Sequence, residues 1–334
     1  MAEDSKTVKT TTTMEETLEK SLEKGRLAKV KRFLNEHNVN IPNEDGRLPI
    51  HIACYHGYPS LCLLCIEEGS RVNVKDNQGM TPLHLAAAEG HSTDVIHMLL
   101  REDAMVNVKN KDGRSPLHLA SANGRAKVVH LLLDKGAHMD EIDMEEMTPF
   151  LMAVKNGHTE VVRLLLERGA AVHEEDQDGN LPLHIAAKRG YDDIVKIILD
   201  AGGNVNDKDK NERTPLLLAC EHDYHKVVEV LLEKDERVNE KNMDGDNPLL
   251  LACEHGNSKI VELLLTKNVH VNQKDSEGNT PLSLSCIHGY SQIVQMLLSK
   301  GAQINESVSN IEGKQALHLA CLYGVRVTKC CFIA

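Results

Sequence analysis

Eight of the ten prolines of this chain, Pro49, Pro82, Pro116, Pro149, Pro182, Pro215, Pro248 and Pro281, follow one another at steps of 33, 34, 33, 33, 33, 33 and 33 residues. A self-similar unit of that length has room for one small motif and too little apolar surface to bury a core alone. The chain is therefore expected to fold as a stack in which each unit covers the next.

Each of these prolines opens a recurring phrase. It reads Leu48-Pro49-Ile50-His51, Thr81-Pro82-Leu83-His84, Ser115-Pro116-Leu117-His118 and Leu181-Pro182-Leu183-His184, with weaker copies at Thr148, Thr214, Asn247 and Thr280. A ninth copy, Gln315-Ala316-Leu317-His318, follows a two-residue insertion. Proline suits the first turn of a helix, where its missing N–H has no partner to lose, and a preceding Thr or Ser can cap that turn. Small residues follow, then a turn glycine such as Gly57, Gly90 or Gly124, then an apolar helix such as Val128-Val129-His130-Leu131-Leu132-Leu133. Many units close on Asp-x-x-Gly, as in Asp76-Asn77-Gln78-Gly79. The one 34-residue step is explained by an extra residue between Gly90 and Val95.

The period and the Thr-Pro-Leu-His phrase resemble the ankyrin repeat. The resemblance implies an all-α repeat solenoid of stacked helix-turn-helix units with projecting β-hairpin fingers. It also implies protein partners, gripped on a concave face built from first helices and finger tips. We read residues 1–13, with Thr10 to Thr13 in a row, as disordered, 14–44 as a degenerate N-terminal capping repeat, 45–311 as eight repeats, and 312–334 as an incomplete ninth repeat with an atypical tail.

Composition narrows the function. A formal charge of −12 opposes a nucleic-acid partner, since phosphate binding draws on Lys and Arg. No secretory signal and no long apolar run appear, so the cytosol, or the nucleus, is expected. With 3% aromatic residues and no Trp, the core must be aliphatic. Cys54, Cys220, Cys253, Cys286 and Cys321 all stand five residues after the signature position, where other units carry Ala87, Ser121, Val154 and Ala187; this is the place of a small packed residue. Cys62 and Cys65 fall on core positions of a second helix. The sequence shows no catalytic motif and calls for no metal and no cofactor, and we expect a monomer without enzymatic activity.

The candidate partner-binding residues come from two places. The ends of the first helices offer Tyr55, His56, Lys188, Arg189, Glu221, His222, Glu254, His255 and His288, and the finger tips offer Asn77, Gln78, Met80, Lys111, Asp112, Arg114, Met144, Met147 and Met243. Met144, Met147 and Met243 are expected to be exposed apolar groups. The signature histidines His51, His84, His118, His184 and His318 resemble the structural histidine of the family, which ties a unit to its neighbour's turn. Asn73, Asn107 and Asn206 resemble positions that asparaginyl hydroxylases modify in this family.

Two readings of the tail stay open. Cys331-Phe332-Ile333-Ala334 has the form of a prenylation box, which would add membrane attachment through a lipid on Cys331. Alternatively, the chain is a shortened regulatory or targeting segment of a larger, membrane-linked or enzymatic protein.

Glycine is missing from three joints: Asp223 stands at an inter-helix turn, and Glu146 and Glu212 stand in fingers. If these residues take a positive φ, each costs on the order of 1 kcal/mol, and the units around Glu146 and Asp223 should be the softer ones. Hydrogen exchange checks this: amides there should exchange faster than in neighbouring units, and equal protection would refute it.

Overall fold

Helix starts fall where the prolines are. In a computed structural model that describes residues 27–304 apart from 235 and 236, the first helices are α2 (Pro49–Tyr55), α4 (Pro82–Glu89), α6 (Pro116–Ala122), α8 (Pro149–Lys155), α10 (Pro182–Arg189), α12 (Pro215–Glu221), α14 (Pro248–Glu254) and α16 (Pro281–Ile287). Each is followed by an antiparallel second helix: α3 (Pro59–Glu67), α5 (Thr93–Arg101), α7 (Ala126–Asp134), α9 (Thr159–Glu167), α11 (Asp192–Asp200), α13 (His225–Lys234), α15 (Ser258–Leu264) and α17 (Ser291–Ser299). One helix, α1 (Leu27–His37), precedes them and packs on α3 through a face that includes the buried Val30 and Leu34. The ninth phrase, His318, residues 1–13 and Cys331 lie outside the described residues.

The chain divides into two units, residues 1–170 and 171–334. In the first, α2, α4, α6 and α8 pack in succession, as do α1, α3, α5, α7 and α9. In the second, α10, α12, α14 and α16 form one row and α11, α13, α15 and α17 the other. The core is aliphatic, with Phe150 as its one fully buried phenyl ring among the described residues. The cysteines Cys54, Cys62, Cys65, Cys220, Cys253 and Cys286 are all buried and free, in the packing role the pattern predicts. Burial raises the thiol pKa of Cys54, Cys65 and Cys220, and pushes that of Cys253 up to about 12.

The repeated polar residues work as ties. Thr148 Oγ1 accepts from Leu151 N–H at 3.2 Å and Asn247 Oδ1 from Leu250 N–H at 2.9 Å, capping α8 and α14. The signature histidines do more. His84 Nδ1 accepts from the Thr81 backbone N–H at 3.1 Å, which fixes the tautomer, so Nε2 donates across to the Arg114 carbonyl of the next finger at 3.0 Å. His51 and His118 reach forward in the same way, to Val74 and Met80 and to Met147, and His184 reaches Asp207 and Arg213 from Nε2 although its Nδ1 has no partner. A second tie is an asparagine at the end of the second-helix loop. Asn73 donates to the Asp103 carbonyl at 3.0 Å and accepts from Met105 N–H at 2.8 Å; Asn40, Asn107, Asn239 and Asn272 repeat the arrangement with the units that follow them.

The fingers depart from expectation, because the described residues contain no strand. Each tip is a turn closed by an Asp or Asn carboxyl or amide oxygen. Asp76 Oδ1 accepts from Gln78 N–H and Met80 N–H, both at 2.8 Å, and Asn110 Oδ1 does the same for Asp112 and Arg114 at 3.0 and 2.9 Å. A single backbone bond joins several tips to the one before: Lys111 N–H to the Gln78 carbonyl, Met144 N–H to Asp112, Ser276 N–H to Asp244. With so few cross-links the fingers form a row of pinned turns rather than a β ladder.

The three joints without glycine do carry positive φ: +58° at Glu146, +58° at Glu212 and +61° at Asp223. A second constraint acts at the inter-helix turn. The residue after each such turn lies over the turn of the preceding repeat, so a Cβ on Gly190 would fall 2.5 Å from the Tyr224 ring and one on Gly90 2.6 Å from Arg125. In the repeat after Asp223 the equivalent residue is the shorter Asn257, which donates to the Cys220 carbonyl at 2.9 Å. The side chain at 223 and the small residue at 257 fit together, and the remaining cost there is the backbone conformation.

Burial holds the signature histidines neutral. It is the largest influence on His51, His84, His118 and His184, lowering all four and pushing His84 down to about 4 from 6.5. Between those values the unfolded chain binds a proton that the folded chain refuses, so stability is full above pH 6.5 and falls as pH drops. His84 alone is worth roughly 3 kcal/mol across that window. Glu141 and Asp143, held below their ordinary values of 4.5 and 3.8, add their losses only at lower pH. We predict that urea unfolding shows stability declining from pH 6.5 to 5. His84→Leu, which copies the natural Leu151 and Leu217, should flatten that decline by about one proton; an unchanged slope would refute it.

Candidate partner-binding surface

The finger face is built from the first-helix ends and the tips, and the structure divides the residues expected there into those tied into the scaffold and those left to solvent. Arg114 belongs to the first group. Its Nε donates to Asp143 Oδ2 of the next finger at 2.8 Å, and its Nη2 lies 3.3 Å from Glu145. Burial works against the Arg114 charge, but Asp143 and Glu145 outweigh it and hold the guanidinium above its ordinary pKa. Burial would likewise raise Asp143, yet Arg114 and the N–H groups of Met147 and Glu145 hold it below the usual carboxylate value. Arg47 makes the same bridge to Asp76, at 3.2 Å, and its guanidinium lies 5.7 Å from the Tyr55 ring centre.

Met147, expected as an exposed apolar group, is 2% exposed. It stands two residues before Pro149, where the chain turns inward from the tip, and its carbonyl receives His118 at 3.2 Å. Met80, at the same place one unit earlier than Arg114, is half-buried, with its sulfur 3.3 Å from Asn110 Nδ2. Asn77 is exposed, but its amide donates to the Glu44 carbonyl of the previous finger at 2.8 Å. Asp112 is exposed and 3.5 Å from Asn110 Nδ2.

The histidine column is partly occupied by the scaffold as well. His222 and His255 donate from Nδ1 to the Leu218 and Leu251 carbonyls at 3.0 and 2.9 Å, ending their own helices. His222 and His288 stack on Tyr224 and Tyr290, with ring centres 6.1 and 5.7 Å apart. These three histidines stand on successive helices of the second unit and are exposed. His56, in the first unit, is half-buried and stacked on Tyr58.

What remains is a smaller set. In the first unit Tyr55 is 40% exposed and Met144 74% exposed, beside exposed Gln78 and Lys111. In the second unit Met243 is 65% exposed, with exposed Lys188, Arg189 and Glu254. Glu221 is half-buried, 4.0 Å from Arg213. The sequence reading missed Ile142, 49% exposed on the finger of Met144; its neighbours in a finger of acidic and methionine residues were the available signal.

A family model described as ankyrin repeats (3 copies) matches residues 18–110, 63–143, 90–176, 150–242, 235–308 and 272–331, together nearly the whole chain. The chain belongs to the ankyrin-repeat family. No curated protein matches it. Ankyrin repeats in general mediate protein–protein interaction, and the described residues include no helix long and apolar enough to cross a membrane.

The division between tied and solvent-facing residues can be checked by substitution. Arg114→Met leaves the buried Asp143 carboxylate without its cation and should cost about 2 kcal/mol. Lys111→Met, three residues away, should change stability by less than about 0.5 kcal/mol. Equal effects in denaturant unfolding of the two variants would place Arg114 outside the scaffold.

Proposed function

We propose that this ankyrin stack is a protein-interaction adaptor or inhibitor that grips its partner along the finger face and performs no catalysis of its own. The observation that carries this reading is the exposure of Met144, at 74%, on a tip whose backbone is tied to the preceding finger through Met144 N–H and the Asp112 carbonyl. A large apolar side chain held in water on a rigid turn lowers the entropic cost of capture and offers the kind of anchor that interfaces use. Ile142 on the same finger and Met243 on a tip of the second unit extend the pattern. Tyr55, with its ring beside Arg47, adds an aromatic group with a polar end. The protein acts as a monomer in the cytosol or nucleus and needs no cofactor for this role.

The reading is tested by placing a photo-crosslinking amino acid at position 144, 243 or 55, and, as a control, at position 97 on the exposed side of α5. In cells, the finger-face positions should yield discrete protein adducts that excess unlabelled chain suppresses, and position 97 should not. Met144→Asp should then weaken capture of the crosslinked partner by about tenfold while leaving unfolding unchanged. Adducts confined to position 97 would overturn the proposal.

A further inference from the structure

The Arg47–Asp76 and Arg114–Asp143 bridges follow one rule: the residue two before the signature proline reaches the turn-closing Asp of the next finger, 29 residues on. Where Arg213 meets Asn242 at that distance instead, the guanidinium turns back to its own Asp209 at 2.8 Å. The pair 246 and 275 breaks the rule in the other direction. Asp246 takes the place of the arginine and faces Asp275, so an anion stands where the scaffold elsewhere puts the cation.

The consequence is an acidic groove of about 350 Å³ between two fingers of the second unit, whose walls include Asp244, Asp246, Glu254 and Asp275. Among the described residues none of these four carboxylates makes a salt bridge. Burial raises the pKa of Asp246, a hydrogen bond from Asn242 opposes this, and the charges of Glu254, Asp275 and Asp244 raise it further. A second observation is independent of the charge. Asn279, 5% exposed and part of the groove wall, donates its amide to Asp275 Oδ2 at 2.8 Å but leaves its Oδ1 without any partner. An unmet acceptor beside unmatched carboxylates wants a donor that carries positive charge. The carboxylates are spread along the groove, and among the described residues no three side chains converge as metal ligands. Leu284 and Ile287 add apolar wall, which suits the methylene stem of a long basic side chain.

We propose that this groove binds an arginine side chain from a basic segment of the protein partner. The arginine replaces the guanidinium that Arg47 and Arg114 supply internally to their own fingers, which deepens the finger-face reading and rests on it. Its planar fork can serve a carboxylate and the Asn279 oxygen together, as a point-like ammonium does less well.

The test uses the full chain and fluorescein-labelled hexa-arginine, followed by anisotropy in about 150 mM salt so that long-range attraction is screened. Saturable binding is expected. Asp246→Arg, which rebuilds the internal bridge to Asp275, should weaken it by about tenfold or more while raising the unfolding temperature, and Asp246→Asn should weaken it less. Glu229→Arg changes charge equally on the exposed side of α13 and should leave binding within about twofold. No saturable binding, or equal losses from Asp246→Arg and Glu229→Arg, would overturn the proposal. Crosslinking from positions 144 and 243 that persists under either result would leave the finger-face reading standing, whereas its loss would remove that reading separately.

Discussion

Helices of seven to ten residues are too short to hold together in water, and every helix after α1 among the described residues is that short. What makes them persist is the hydrogen bonding and packing that each repeat receives from the next. The buried Nε2 of His84 illustrates the dependence: its bond ends on a carbonyl of the following finger, so the tautomer, the helix cap and the position of that finger are set together. The asparagine bridges do the same at the opposite end of the repeat, with Asn73 both giving to and taking from the backbone of the loop that follows. Neutral histidines are required for this, because a protonated ring has no acceptor nitrogen for the Thr81 amide.

The ties are unevenly distributed, and the unevenness has chemical content. His51, His84 and His118 link successive units in the first half of the chain, while Leu217, Leu250 and Ser283 stand in that column after His184 in the second. Leu217 and Leu250 replace the buried polar link by apolar packing, and Ser283 turns back on Thr280, its Oγ donating to the Thr280 carbonyl at 2.9 Å; each removes a proton-sensitive contact. Those units also retain the asparagine bridges from Asn239 and Asn272. The part of the second unit that carries the acidic groove is thus held by contacts that acid down to the carboxylate range does not break.

The fold was legible in the sequence because its determinants are local and periodic. A proline at the first helical turn, a hydroxyl before it and an Asx residue closing each tip act within four residues, so their spacing alone exposes the repeat. The surface was less legible because its determinants cross from one repeat to another. Arg114 and Met147 sit beside the tips in sequence and read as tip residues, yet one side chain spans to Asp143 and the other turns into the core. His222 and His255 read as groove groups and prove to close their own helices four residues back. Asp103, with φ at +57° where Gly69 and Gly136 serve other repeats, escaped notice because an acidic residue in a polar loop looks ordinary.

Cross-repeat register supplies what local reading lacks. Aligned by local position alone, Asp246 is one more acidic residue near a finger in an acidic chain. Set against its partner 29 residues on, it is the place where a charge pair has been inverted, since the same geometry at Arg47 and Arg114 holds opposite charges together. Two carboxylates in that relation destabilise the fold unless something else supplies the cation, and a neutral side chain relieves them, as Asn180 does at the position 29 residues before Asp209. The unrelieved repulsion, with an unpartnered Asn279 oxygen next to it, therefore reads as a site suited to the scaffold's own kind of cation. In a repeat protein, the column that fastens one finger to the next becomes a recognition site when its internal partner is withdrawn.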